Sequence, residues 1–132
     1  MDRGLKTFMW ITDAGFLLYW AVVFFDVIPK EYQYQDYRNE LLVAWNVSFL
    51  PLDLFISITG FASMYFFYKR RPLAVPLCII SLTLTFCSGL QAIAFWSIRG
   101  DYDLTWWVPN LLLMVYPLVY LPKLMRKGYA DL

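Results

Sequence analysis

The chain contains no histidine, which excludes histidine-based acid–base catalysis and histidine metal sites. It has only two cysteines, Cys78 and Cys87, and nine residues of helix would point them in opposite directions, so they cannot pair with each other. Neither a glycine-rich phosphate loop nor an H-E-x-x-H motif is present. The net charge of +1 argues against a nucleic-acid partner. We therefore expect no catalytic residue, no cofactor and no metal ion.

What the chain does contain is hydrophobic residues, which make up 61% of its 132 positions. They form four runs at about 7–28, 41–68, 73–98 and 104–122. Each run has at least about 19 residues, which is enough for a helix to cross a hydrocarbon core of about 30 Å. The sequence predicts an all-α, integral membrane protein: a four-helix transmembrane bundle that forms a single domain over residues 1–132.

Lysine and arginine are distributed unequally between the two ends of these runs. Eight fall at the N-terminus, the second connection and the C-terminus: Arg3, Lys6, Lys69, Arg70, Arg71, Lys123, Arg126 and Lys127. Three fall at the other end: Lys30, Arg38 and Arg99. Because basic residues accumulate on the cytoplasmic side, we expect both termini to be cytoplasmic in a bacterial plasma membrane.

Three aspartates lie inside the predicted spans, where ionisable groups are costly and usually functional. Asp53 is near the middle of the second span and is the main candidate for binding a ligand, an ion or a proton. Asp26 ends the first span and could reach the interface. Asp13 is a secondary candidate, with a structural role near a cytoplasmic lysine or the helix start as its alternative.

Polar residues recur at helical spacing around Asp53. Asn46, Asp53, Ser57 and Gly60 share one face of the second span, and Pro51 should kink that span. The third span carries a matching polar stripe that consists of Ser81, Thr85, Ser88 and Gln91. The fourth span contributes Asn110. Since polar groups avoid lipid, we expect these faces to meet inside the bundle.

A pocket open toward the outer side follows from this arrangement. Its predicted ligand-binding residues are Asp53, Asp26, Asn46, Trp45, Ser57, Gln91, Trp96 and Asn110, with Trp106 and Trp107 also near the rim. A carboxylate among aromatic rings suits a hydrophobic or cationic amphiphilic ligand. The alternatives are a small proton- or cation-coupled exporter acting as a homodimer, similar to the small multidrug-resistance proteins, and a non-catalytic accessory subunit held in the bilayer by helix packing alone.

Several segments resemble the small, uncharacterised bacterial YvaD-like family of four-span membrane proteins. They are TDAGFLLYW at 12–20, IPKEY at 28–32, LVAWN at 42–46, PLD at 51–53 and TFCSGLQ at 85–91. This resemblance covers nearly the whole chain and implies the four-span fold, but it implies no activity.

The first half also resembles the EXPERA superfamily, which includes the emopamil-binding sterol isomerase and the sigma-two receptor. The similar segments are FD at 25–26, PKE at 29–31 and W-x-x-S-F-L-x-x-D-L at 45–54. This resemblance implies that Asp26 and Asp53 are pocket carboxylates, with Asp53 where that family has a glutamate. The absence of histidine departs from the isomerase pattern.

Overall fold

The computed structural model describes residues 2–25 and 39–130, with side chains up to residue 126. This part of the chain is all-α, as predicted, and contains no strand. The helices are α1 (Arg3–Phe24), α2 (Glu40–Val47), α3 (Phe49–Tyr68), α4 (Ala74–Arg99) and α5 (Leu104–Ala130). With α2 and α3 counted as one span, four helical spans within these described ranges are long and apolar enough to cross a membrane.

Local sequence signals account for where the helices begin and end. The Asp2 side chain accepts a hydrogen bond from the Leu5 backbone N–H and so caps α1, which therefore begins four residues earlier than predicted. Asn39 caps α2 in the same way. Gly100 ends α4 with a φ of 71°, a left-handed conformation that suits glycine.

The second span is interrupted at Ser48, between α2 and α3. Pro51 follows within one turn and has no N–H to bond the Val47 carbonyl, so the regular ladder is broken at this point. The side chain of Ser48 donates instead to the Trp45 carbonyl. The break lies where Pro51 predicts it, and it separates the segment carrying Trp45 and Asn46 from the segment carrying Asp53.

The helices pack unequally. α4 is in extensive contact with α3 on one side and α5 on the other, whereas α1 packs mainly on α3 and contacts α5 little. We call one end of the bundle the basic end, which carries Arg3, Lys6, Lys69, Arg70, Arg71, Lys123 and Arg126. The opposite end is the tryptophan end, which carries Trp45, Trp96, Trp106 and Trp107.

Each end of the bundle is packed around an apolar cluster. At the basic end, Leu5, Met9, Met64, Cys78 and Leu82 pack among α1, α3, α4 and α5. At the tryptophan end, Leu42, Ala92 and Trp96 form a smaller cluster that α1 does not join. The bundle is therefore more completely packed at its basic end.

Large apolar side chains cover the outside of the bundle. Phe24 is 81% exposed, Phe55 is 62% exposed and Ile98 is 88% exposed. A soluble protein would bury such residues, but lipid solvates them. The polar groups Asp13, Asp53, Ser57, Ser63, Ser81, Thr85 and Ser88 are buried instead. This inverted distribution fits a multi-pass membrane protein.

Candidate functional site

The carboxyl group of Asp53 lies at the centre of the candidate site. Its residue is 5% exposed, and Oδ2 accepts a hydrogen bond of 2.8 Å from the indole Nε1 of Trp20 on α1. Ser88 of α4 donates to Oδ1 at the longer distance of 3.4 Å. Both donors are neutral, so these two bonds satisfy the carboxyl group in part without balancing a negative charge.

Asp53 forms the floor of a cavity of about 270 Å³ that opens at the tryptophan end. Helix α1 and the start of α5 form opposite walls, and α2, α3 and α4 form the rest. The lining residues are Phe16, Tyr19, Trp20, Trp45, Asn46, Phe49, Asp53, Ser88, Ala92, Trp96, Thr105, Trp106, Pro109, Asn110 and Leu113. Apolar walls with a few polar groups are typical of small-molecule sites.

The cavity exists because α1 and α5 separate toward the tryptophan end. At the basic end they touch, with the rings of Phe8 and Tyr116 stacked at 5.0 Å and Gly4 close to the Tyr120 hydroxyl. Toward the tryptophan end, Phe16 and Trp20 line the cavity from α1, and Asn110 lines it from α5. The two helices thus diverge, and the space between them is the pocket.

Three aromatic residues, Trp45, Phe49 and Trp96, line the cavity on the α2–α4 side, and Phe95 packs against two of them. Trp45 stacks on Phe95 with ring centroids 4.0 Å apart, and it meets Phe49 and Trp96 edge-on at 4.9 and 5.5 Å. These contacts pack the rings against one another in stacked and edge-on geometries. The exposed π faces of the rings could attract an organic cation.

Two side-chain amides and one main-chain carbonyl add polar groups to the cavity. Asn46 and Asn110 each donate to a carbonyl one turn earlier in their own helix, that of Leu42 and of Trp106, at 2.9 and 2.7 Å. Each amide keeps a further N–H and an oxygen for a ligand. Pro109 has no N–H for the Thr105 carbonyl, which leaves another acceptor beside the cavity.

Of the predicted ligand-binding residues, the structure brings five together around the cavity: Asp53, Trp45, Asn46, Trp96 and Asn110. Trp106 also lines the cavity, whereas Trp107 donates its indole N–H to the Asp101 carbonyl in the turn before α5. Asp26 lies outside the described residues.

Two predictions about the polar stripes need correction. Ser57 is buried, but below the cavity floor, where its hydroxyl donates to the main-chain carbonyl of Asp13 at 3.0 Å. The prediction that Gln91 faces inward is wrong, because its side chain is exposed on α4 and does not line the cavity. Successive steps of three residues from Thr85 rotate Gln91 away from the interior, and Ala92 takes its place.

Asp13 occupies a second polar layer, about two helical turns nearer the basic end. Asp13 is 1% exposed and lies ten positions into α1, so it is not at the helix start. Its Oδ2 is buried and has no hydrogen-bond partner among the described residues. The same oxygen rests against the backbone of Gly60, where a Cβ would collide with it.

Trp20 is the main residue that the sequence analysis missed. A tryptophan near the end of a span ordinarily indicates the membrane interface, whereas Trp20 is a hydrogen-bond partner of the buried Asp53. The signal was present: Trp20 and Asp13 are seven residues apart on α1, as are Asp53 and Gly60 on α3. Such spacing places each pair on one face, so two antiparallel helices can join both pairs.

A second, apolar groove lies on the other side of Trp20, between α1 and the α2–α3 span. Its volume is about 450 Å³, and it is lined by Leu17, Trp20, Ala21, Val23, Phe24, Val47, Leu50 and Leu54. Among the described residues, Trp20 is the one that lines both spaces.

Comparisons with known proteins relate this chain to others but supply no activity for it. The chain is 42% identical over 126 residues to the uncharacterized protein YvaD of Bacillus subtilis (strain 168), an alignment that covers 96% of this chain and 95% of that protein. No solved structure matches the present chain. The model of DUF5360, a family of unknown function, matches residues 5–131. Because this match spans nearly the whole chain, the protein belongs to the DUF5360 family.

Proposed function

We propose that this protein binds a small cationic amphiphile, with the cationic group beside Asp53 and the apolar part against the aromatic walls. The observation that carries the proposal is a buried carboxyl group on the floor of a membrane-embedded cavity, with neutral hydrogen-bond donors as its partners. Packing alone does not require such a group, because a carboxyl in a transmembrane segment costs a few kcal/mol.

The chemistry of the walls favours an organic ammonium over a small metal ion. Metal ions of the Mg²⁺ and Ca²⁺ kind require about six or more oxygen ligands, whereas most of this cavity is aromatic or aliphatic. A quaternary ammonium needs one counter-charge and several π faces, which Asp53, Trp45 and Trp96 offer. The groove beyond Trp20 gives room for an alkyl chain.

In this proposal the ligand enters from the outer side or the outer leaflet of a bacterial plasma membrane. Both chain termini are cytoplasmic, because the basic end carries most of the lysines and arginines. The cavity then opens away from the cytoplasm. The likeness of the segment around Asp53 to EXPERA proteins stays an expectation from the sequence.

The test measures binding of alkyltrimethylammonium ions to the protein in lipid nanodiscs, followed by quenching of tryptophan fluorescence. Asp53→Asn keeps the size of the side chain and should weaken binding by at least about tenfold, since a contact with a charged group is worth about 1.5–3 kcal/mol. Asp101→Asn, at the same end of the bundle but outside the cavity lining, is the matched control.

Equal affinity of Asp53→Asn and the wild type for the ammonium ion would contradict the proposal and favour an accessory subunit. A neutral amphiphile of equal chain length separates the two contributions, because it should bind in the groove without responding to Asp53→Asn. If the neutral compound binds as tightly as the ammonium, the site is apolar and the carboxyl group has another purpose.

A second candidate function is proton- or cation-coupled export by a homodimer. The buried carboxyl of Asp13, one layer below Asp53, favours it, because coupled transport needs a group that can exchange a proton. Proteoliposomes with a pH gradient should then accumulate a quaternary ammonium dye, and Asp53→Asn should abolish the uptake. Binding without gradient-driven uptake would leave the ligand-binding proposal alone.

A further inference from the structure

Asp13 is the most deeply buried carboxyl residue described in the bundle, and the ammonium site does not use it. It is 1% exposed, against 5% for Asp53. Asp53 accepts two hydrogen bonds and faces a cavity, whereas Oδ2 of Asp13 has no partner among the described residues and does not face that cavity. A group in this position needs a separate account.

The surroundings of Asp13 come from four helices, and none of the described side chains placed around it is charged. On α3, Ser57 donates to the Asp13 main-chain carbonyl, and the Gly60 backbone lies against Oδ2. The Cys78 thiol on α4 and the Tyr116 hydroxyl on α5 are both near enough to interact electrostatically with the Asp13 carboxyl group. On α1 itself, the nearest lysine is Lys6, about 10 Å away along the helix.

Three hydroxyl groups of this layer, those of Ser57, Ser81 and Thr85, donate to main-chain carbonyls and not to the Asp13 carboxyl group. Ser57 donates to the Asp13 carbonyl, Ser81 donates to the Ile56 carbonyl at 3.0 Å, and Thr85 donates to the Ser81 carbonyl at 2.8 Å. A sodium ion would need several oxygens turned toward Oδ2, but that oxygen faces the backbone of Gly60. An ionised carboxylate held here would be buried with neither a counter-charge nor sufficient donors, which is strongly unfavourable.

We infer that Asp13 is a proton-binding site, in which the carboxyl group is held as the neutral acid while α1 is packed on α3. The occupant is a proton, because the site has room for nothing larger between Oδ2 and Gly60. This proton site is separate from the ammonium site at Asp53, although one helix pair carries both. The proton stabilises the contact between α1 and α3, and its release would favour separation of the two helices.

The same contact links the two acidic residues. Asp13 meets Ser57 and Gly60, and Trp20 meets Asp53, so both acids lie along one α1–α3 seam. A ligand that takes Trp20 away from Asp53 loosens the seam at one point, and loss of the Asp13 proton loosens it at the other. By linkage, each event makes the other easier.

The test is infrared spectroscopy of the ligand-free protein in nanodiscs at neutral pH. We expect a C=O stretch of a protonated carboxyl group that is absent from Asp13→Asn but retained in Asp53→Asn. Adding sodium chloride should leave this band unchanged. A band that disappears with sodium, or an Asp13-dependent signal that is carboxylate only, would overturn the inference.

Carbon-13 NMR of the wild type with labelled aspartate covers the case in which Asp13→Asn does not fold. At least one aspartate carboxyl should have the chemical shift of the acid at neutral pH, and it should persist in Asp53→Asn. Gly60→Ala, which pushes the Asp13 carboxyl off α3, should remove that signal, whereas Gly15→Ala, which has open space for its Cβ, should keep it. If all aspartates are carboxylates in both wild type and Asp53→Asn, the site holds no proton. This outcome is independent of whether any ammonium binds.

Discussion

At the scale of single residues, the bundle concentrates its polar chemistry at two carboxyl groups. Asp53 is bonded to Trp20 and Ser88 beside a cavity, whereas Asp13 is enclosed by backbone and hydroxyl groups. The difference follows from the residue that faces each of them across the α1–α3 contact, Gly60 of α3 for Asp13 and Trp20 of α1 for Asp53. At the level of Asp13 a glycine lets α1 approach closely, and at the level of Asp53 the large indole of Trp20 holds the helices apart.

The hydrogen bond from Trp20 should contribute to stability as well as to the shape of the site. Trp20→Phe keeps an aromatic ring but removes the indole donor, which leaves the Asp53 carboxyl less satisfied. We expect the free energy of unfolding in detergent to fall by about 1–3 kcal/mol. The control is Trp10→Phe, because Trp10 is 50% exposed on the outside of the same helix. Equal stability of both variants would show that the Trp20 bond contributes nothing.

The sequence predicted the residue-scale site in part. The spacing of Asp53, Ser57 and Gly60 placed all three on the buried face of α3, because seven residues make nearly two helical turns. It could not tell which of them would reach a cavity, since that depends on where α1 and α5 diverge. Polarity alone predicts an inward face for Gln91, but the helical period turns its side chain to the outside of α4.

At the scale of helices, close packing of α4 and α5 sets one wall of the site. Gly89 is buried where the two helices approach, and a Cβ there would lie 2.6 Å from the Asn110 carbonyl oxygen and 3.0 Å from the Met114 nitrogen. Both neighbours are backbone atoms, so they cannot rotate away. The glycine thus allows α5 to bring Asn110 and Pro109 to the cavity.

Gly89→Ala should therefore separate α4 from α5. We expect a loss of about 1–3 kcal/mol in unfolding free energy, which is typical of overpacking, together with weaker ammonium binding. Gly15→Ala is the control, because a Cβ added there would meet nothing within 4 Å and alanine favours helix. Thermal unfolding and ligand titration of both variants give the comparison. A Gly89→Ala protein as stable as Gly15→Ala would contradict the proposed close approach.

At the scale of the whole molecule, the asymmetry between the ends accounts for where the site lies. The basic end has the larger apolar cluster, which all four spans share, whereas α1 does not join the cluster at the tryptophan end. The hydrophobic runs alone predicted the number and rough limits of the spans, because length and apolarity determine them. They could not predict how far α1 and α5 diverge, which depends on side-chain packing between helices that are distant in sequence.

The orientation of the molecule can be tested with single cysteines. Cys78 is buried and Cys87 is exposed, so Cys87→Ser gives a suitable background. In that background Tyr102→Cys, at the tryptophan end, should react in intact cells with a thiol reagent that does not cross membranes. Arg70→Cys, at the basic end, should react only after the membrane is permeabilised. The reverse pattern would place the cavity mouth in the cytoplasm.

The most direct test of the ligand site is a structure in lipid with an alkyltrimethylammonium ion that carries a heavy halogen at the end of its chain. The account predicts the ammonium at about 4–6 Å from the Asp53 carboxyl group and the halogen in the groove beyond Trp20. Asp53 turned toward lipid, or a ligand bound elsewhere with the cavity closed, would contradict it.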